Sequence, residues 1–329
     1  MSKKLTTAFI FMLLVSACSK DAIVPEDQNN GEKQLLSFTV DGFSQDLLPF
    51  VDRIQAAHLN ASLSSQVSSS SINLSDYINT LEFKVYYRGT VVDSVRQFSD
   101  DSDFGKYENY FAPSASVPYN VFITGAMLEL DGDIEVKRKD GASQQETSLR
   151  ILPGPVDAFS FANSYIIGAE PQTESIQLKR FVGRLEIDLK EEIPHNASRI
   201  EITVENTAQY FMPLLKKGYH LDPNDDSIQH NTLKTIIIQA EDVGRTDYSA
   251  TVYYILKSEL GSEAEISNVT LKAFDKLGKE IATRYIPDVT LQANKRTRLT
   301  GRIFTPYSNM DFDIKITDDW DSEVPEFVF

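Results

Sequence analysis

Apolar and polar residues alternate one for one along much of this chain, and that period constrains its fold more than any other feature. The stretch "TLEFKVYYRGTVVDSV" sets Leu81, Phe83, Val85 and Tyr87 on one side, with Glu82, Lys84 and Arg88 opposite. "YNVFITGAML" repeats the pattern with Tyr119, Val121 and Ile123. "RFVGRLEIDLK" sets Phe181, Leu185, Ile187 and Leu189 against Arg184, Glu186, Asp188 and Lys190. "SRIEITVEN", "TDYSATVYYIL", "VTLKAFDKLGKEIATRYI" and "MDFDIKITDDW" continue it. Successive side chains of a strand point to opposite faces, so this period predicts half-buried strands with one wet side, the habit of antiparallel sheets. Arg88-Gly89 or Gly89-Thr90, and "DKLGK" further on, supply hairpin turns. Helical spacing is thin: "LPFVDRIQAAHL" has some, and "DSDFGKYENYF" holds room for one turn. Many short strands and almost no helices predict an all-β chain built of β-sandwiches.

Two stretches read as breaks. "NASLSSQVSSSSINLS" (Asn60–Ser75) is a serine-rich loop inside the first half. "RILPGPVDAFSFANS" brackets a glycine with two prolines, after the polar "RKDGASQQETS". The domain boundary is therefore expected near 155, with one sandwich over residues 34–155 and a second over 156–329. Halves of this size each suit one domain.

The 329-residue chain holds a single cysteine, Cys18, so no internal disulfide supports the fold. What precedes it reads as an export signal. Lys3 and Lys4 form a short basic start, and "LTTAFIFMLLV" is apolar but shorter than the ~20 residues that span a bilayer. Ser16 and Ala17 then lead into Cys18, and "VSAC" resembles a bacterial lipobox. That resemblance implies cleavage after residue 17 and a thioether-linked diacylglycerol on Cys18. Two or more buried acyl chains hold a protein stably to a membrane where one does not. Residues 18–33 carry no apolar periodicity and read as a flexible spacer.

Charge narrows the partners. The formal net charge is −16, and removing residues 1–17 takes two lysines and no acid. So acidic a surface argues against nucleic acid, which rewards clusters of Lys and Arg. No catalytic motif is present: no Gly-x-Ser-x-Gly elbow, His-Glu-x-x-His pair, phosphate-binding loop or dinucleotide fingerprint. The four histidines, His58, His195, His220 and His230, sit in polar surroundings and read as solvated. The acidic runs at 99–103, 131–133, 222–226 and 318–323 match no full calcium loop. The reading is a non-enzyme without metal or other cofactor.

Four blocks in order carry a family resemblance. They are "FTVDGFSQDLLPFVDR"; "LSDYINTLEFKVYYRGTVV" leading to "QFSDDSDFGKYENYFAPSASVPYNVFITGA"; "LKRFVGRLEIDLKEEIPHNASRIEITVEN"; and "LQANKRTRLTGRIF" followed by "FDIKITDDW". Together they resemble the fimbrillin-like fimbrial subunits of Bacteroidetes, particularly the fimbrillin-associated anchor type of type V fimbriae. The resemblance implies two transthyretin-like antiparallel β-sandwiches in tandem and a lipoprotein route to the outer membrane. It implies fimbrial subunits as partners, joined by strand addition. Shaft subunits of this family are clipped after an early arginine, whereas anchors keep the lipid on the cysteine. Arg53 is the first arginine after Cys18, so it is the processing site if the chain is a shaft subunit. The expected role is a lipid-anchored cell-surface subunit that anchors or terminates a fimbria. A protease-matured shaft or tip subunit is the alternative. A surface glycan-binding lipoprotein is the alternative of another class, disfavoured by a single tryptophan, Trp320.

Overall fold

The computed structural model describes residues 32–44, 73–137, 147–219, 230–261, 264–305 and 312–317. Among the described residues it is all-β, with one 3₁₀ turn at Leu74–Asp76. The first strands are β1 (Gln34–Phe43), β2 (Thr80–Tyr87), β3 (Thr90–Phe98), β4 (Lys106–Phe111) and β5 (Tyr119–Ala126). A hairpin of β6 (Asp133–Lys137) and β7 (Ser148–Leu152) follows, then β8 (Ala158–Tyr165) and β9 (Gln172–Arg180). The chain continues through β10 (Gly183–Leu189), β11 (Ala197–Thr207), β12 (Tyr210–Met212), β13 (Lys217–Tyr219), β14 (His230–Ile237) and β15 (Tyr248–Tyr254). The last are β16 (Glu265–Asp275), β17 (Glu280–Leu291), β18 (Arg296–Gly301) and β19 (Asp313–Thr317).

Alternation explains both cores. Leu81, Phe83 and Val85 of β2 and Val121 and Ile123 of β5 meet Leu36 and Phe38 of β1 in the N-terminal core. Those strands lie in one seven-stranded array, ordered β3-β2-β5-β8-β9-β1-β4. The C-terminal sandwich sets β15-β10-β18-β19 against β14-β11-β16-β17. Leu185, Ile187 and Leu189 of β10 there face Ile200, Ile202 and Val204 of β11. The β2–β3 turn has Arg88 at φ +48° and Gly89 at φ +81°, the pair of positive angles that a tight hairpin needs. At the "DKLGK" turn, the Asp275 carboxylate accepts from the backbone N–H groups of Leu277 and Lys279, both at 2.9 Å.

The structure departs from the sequence reading in three places. First, the boundary near 155 falls inside the N-terminal array. Strands β8 and β9 pair with β5 and β1, so the chain crosses between sandwiches at Phe181–Val182. The Pro-Gly-Pro stretch connects two strands, β7 and β8; local turn chemistry does not distinguish that from a linker. Second, two pairings are parallel, β1 with β9 and β10 with β18. Period 2 reports which face a side chain takes and is silent on strand direction. Third, the charged face of β10 is covered, with Glu186 and Asp188 both buried. Glu186 is surrounded by Arg184 (2.5 Å), Arg298 (2.9 Å) and Arg296 (3.7 Å), which shield it from solvent while supplying its counter-charges.

Between the sandwiches lies a small sheet ordered β13-β12-β7-β6, drawn from both halves of the chain. Its cluster joins Leu149 and Ile151 to Phe181, Val182, Phe211 and Ile255. The Phe181 and Phe211 rings stack 4.4 Å apart. Beside them, Arg180 grips Asp157 through two bonds, Nε to Oδ1 at 2.7 Å and Nη2 to Oδ2 at 2.8 Å. Both side chains are almost wholly buried, and the guanidinium lies 4.6 Å from the centre of the Phe159 ring. Gly183 follows at once, where an added Cβ would sit 2.2 Å from the Tyr254 ring.

A buried charge is tolerated only while its partner is present. Asp157→Ala is therefore expected to lower the unfolding free energy by about 3–5 kcal/mol. Adding Arg180→Met should recover most of that loss. Urea denaturation of the two variants checks this, and equal destabilisation in both would contradict it.

Candidate functional site

Strand β1 stands well before the other strands of the N-terminal array in the chain. It is followed by residues 45–72, which lie outside the described residues, and the chain returns at Asn73 to build the rest of the domain. Yet β1 is internal to the sheet. It runs antiparallel to β4 from Gln34 to Thr39 and parallel to β9 from Leu36 to Phe43. Its inward residues Leu36, Phe38, Val40 and Phe43 are all buried. Phe38 lies 5.2 Å from the Tyr165 ring and 6.0 Å from Tyr107. Phe43 lies 4.3 Å from Phe159 and 5.1 Å from Tyr77. The register slips between Val40 and Gly42, where Gly42 takes a φ of +141°, an angle open to glycine and strained for other residues.

The far edge of the array closes the groove that holds β1. Strands β3 and β4 end the seven-stranded order at opposite sides, and side chains bridge them. The Gln97 amide donates to the carbonyl of Lys106 at 2.6 Å and accepts from the Gly105 N–H at 3.0 Å. The Tyr107 hydroxyl and the Asn109 amide both donate to Asp93 Oδ2, at 2.6 and 2.7 Å. The sheet thus curls until its edges meet, and β4 keeps a hold on β3 that does not involve β1. Chemically the site is a slot for one strand: two rows of backbone donors and acceptors, with aromatic pockets at alternate positions.

Of the residues singled out in the sequence, Cys18 and Arg53 both lie outside the described residues, as do His58, His220, Trp320 and the acidic runs at 222–226 and 318–323. His195 is exposed. Asp101 accepts from the backbone N–H of Phe98 at 2.7 Å, and Asp133 pairs with Arg96 at 2.7 Å, so these two acidic turns serve local structure. Among the described residues no group of three or more His, Cys, Asp or Glu side chains is placed to hold a metal. Sequence reasoning missed the seam residues Asp93, Gln97 and Tyr107. A lone acid or amide within a strand carries no signal of a partner across the sheet.

Residues 154–327 match the model of a family described as "Family of unknown function (DUF6562)". The chain belongs to that family. Its match begins in the Pro-Gly-Pro connection and so includes β8 and β9 as well as the whole second sandwich. No curated protein matches the sequence. Among solved structures, the chain is similar to a candidate adhesin from Bacteroides ovatus, at 9% identity and TM-score 0.44, over 78% of this chain and 82% of that one. A candidate adhesin from Bacteroides thetaiotaomicron shows 13% identity and TM-score 0.40, over 74% and 90%. The fimbrial anchor protein Mfa2 from Porphyromonas gingivalis shows 12% identity and TM-score 0.34, over 82% and 90%.

Two measurements test the slot. Phe38→Ala should cost about 3–5 kcal/mol, the usual loss for a fully buried phenylalanine. It should also raise the rate of proteolytic removal of residues before Asn73. The second measurement is pH dependence. Burial, reinforced by the hydrogen bond to Asp93, pushes the Tyr107 hydroxyl well above its ordinary pKa. Burial and the bond to Glu174 do the same for Tyr165. The unfolded chain ionises its tyrosines near pH ~10, so this stability is complete below that pH and is lost above it. The urea midpoint should fall above pH ~10, and less steeply in Tyr107→Phe. A midpoint insensitive to alkaline pH would contradict the assignment.

Proposed function

We propose that this chain is a non-enzymatic, lipid-anchored cell-surface subunit that anchors or terminates a fimbria at the outer membrane. The observation that carries the reading is the position of β1: an internal strand joined to the rest of its sandwich only through residues 45–72. A chain cut within that stretch would hold β1 by pairing and packing alone. A strand with apolar residues at alternate positions, brought by another subunit, could then take its place. Left uncut, the same β1 links Cys18 to the folded body and fills the slot permanently. Lipid attachment and an occupied slot thus belong together, as an anchor requires. The ordered family blocks and the lipobox-like "VSAC" support the same reading from the sequence.

One observation favours the shaft or tip alternative. Arg53 follows β1 in the chain, so cleavage there would release a segment ending beyond the whole strand. The two readings separate on the mature N-terminus. In the anchor reading, mass spectrometry of the protein from its native membranes finds acylated Cys18 and no species that starts after Arg53. Cys18→Ala should then move full-length protein from the membrane fraction to the soluble one. A start after Arg53 in purified fimbriae would replace the anchor by a shaft subunit. A full-length Cys18→Ala variant that stays on membranes would remove the lipid from the account.

A further inference from the structure

In the sheet β14-β11-β16-β17, Ile200, Ile202 and Val204 of β11 and Val269, Leu271 and Ala273 of β16 point into the C-terminal core. Their neighbours along each strand point outward. Register sets the outward side chains in three rows across the sheet. The first row is Leu233, Thr203, Thr270 and Tyr285. The second is Thr235, Glu201, Lys272 and Thr283. The third is Ile237, Arg199, Phe274 and Glu280. Nothing covers the margins of this face: Leu233 is 61% exposed, Tyr285 59% and Ile237 57%.

The charges in these rows cancel. Arg199 pairs with Glu201 at 2.9 Å, and Lys272 with Glu280 at 3.7 Å. The Arg199 guanidinium also lies 4.0 Å from the centre of the Phe274 ring. A chain of net charge −16 repels its own copies, so a neutral face is where two of them can meet.

The rows are also complementary to themselves. A two-fold axis parallel to the strands, midway between β11 and β16, lays β11 over the partner's β16 and β14 over the partner's β17. Each row then lies over the same row of the second copy. Glu201 faces the partner's Lys272, and Arg199 faces the partner's Phe274. Thr203 faces the partner's Thr270, and Leu233 faces the partner's Tyr285. Symmetry makes every one of these contacts twice. The corner pairing, Ile237 over the partner's Glu280, lies outside the central strands.

We propose that the outer face of β14-β11-β16-β17 is a homodimer interface, in which two copies of this chain pack sheet on sheet about that axis. Four strands at a spacing of ~4.8 Å, with eleven residues of β11 at ~3.3 Å each, present roughly 700 Å². That approaches the ~800 Å² per partner of a standard protein interface. The packing is the aligned kind that sandwiches use, with strand directions within about 30° of each other. The inference stands apart from the fimbrial reading, since it uses neither the β1 slot nor Cys18.

Charge reversal tests it. Glu201→Lys sets like charges against each other at both copies of the central contact, and Lys272→Glu does the same with the opposite sign. In a one-to-one mixture, each altered residue meets its complement on the other chain. Sedimentation equilibrium of the full chain in density-matched detergent should show a monomer–dimer equilibrium with a Kd of about 1–100 μM. Each variant alone should weaken it at least tenfold, and mixing the two should restore it. Rescue by mixing excludes a folding defect, which a second damaged chain would not repair. A parent chain that stays monomeric would overturn the proposal. So would dimers unmoved by either reversal, or variants that mixing fails to rescue.

Discussion

Strands β4 and β9 each turn a row of backbone groups toward β1, and neither row has another described strand to satisfy it. Buried N–H and C=O groups without partners are costly, so the N-terminal sandwich is complete only with that strand in place. The constraint reaches into the core. Phe38 and Phe43 touch Tyr107, Tyr165, Tyr77 and Phe159, which come from three other parts of the domain. A segment near the start of the chain therefore completes a fold that later residues otherwise define.

The junction is built differently. A four-stranded sheet takes two strands from each half of the chain, and stacked Phe181 and Phe211 lie beside the buried Asp157–Arg180 pair. Apolar packing fastens the two sandwiches, and the ion pair ties the start of β8 to the end of β9 where the chain leaves for the second one.

Much of the architecture was legible because the core-facing side chains recur at period 2. Leu81, Phe83 and Val85 are wholly buried, as their spacing requires, and the turns at Arg88-Gly89 and Asp275–Lys279 occur where glycine permits them. Legibility failed where a residue depends on partners distant in sequence. Glu186 reads as a solvent-facing acid, yet Arg296 and Arg298 converge on it from more than a hundred residues away. Pro153-Gly154-Pro155 reads as a domain linker, yet the strands after it complete the first sandwich.

For the candidate site the division is sharper. Residue order alone establishes the class of fold and the place of the β1 residues between Cys18 and Arg53. Alternation and chain order are local properties, and local chemistry suffices to read them. That this strand is internal, parallel to β9 on one side and antiparallel to β4 on the other, emerges from the assembled sheet. Pairing partners are chosen by which backbone rows and apolar pockets remain unfilled once the rest of the domain is assembled. That is a property of the whole sandwich, and no single stretch of residues contains it.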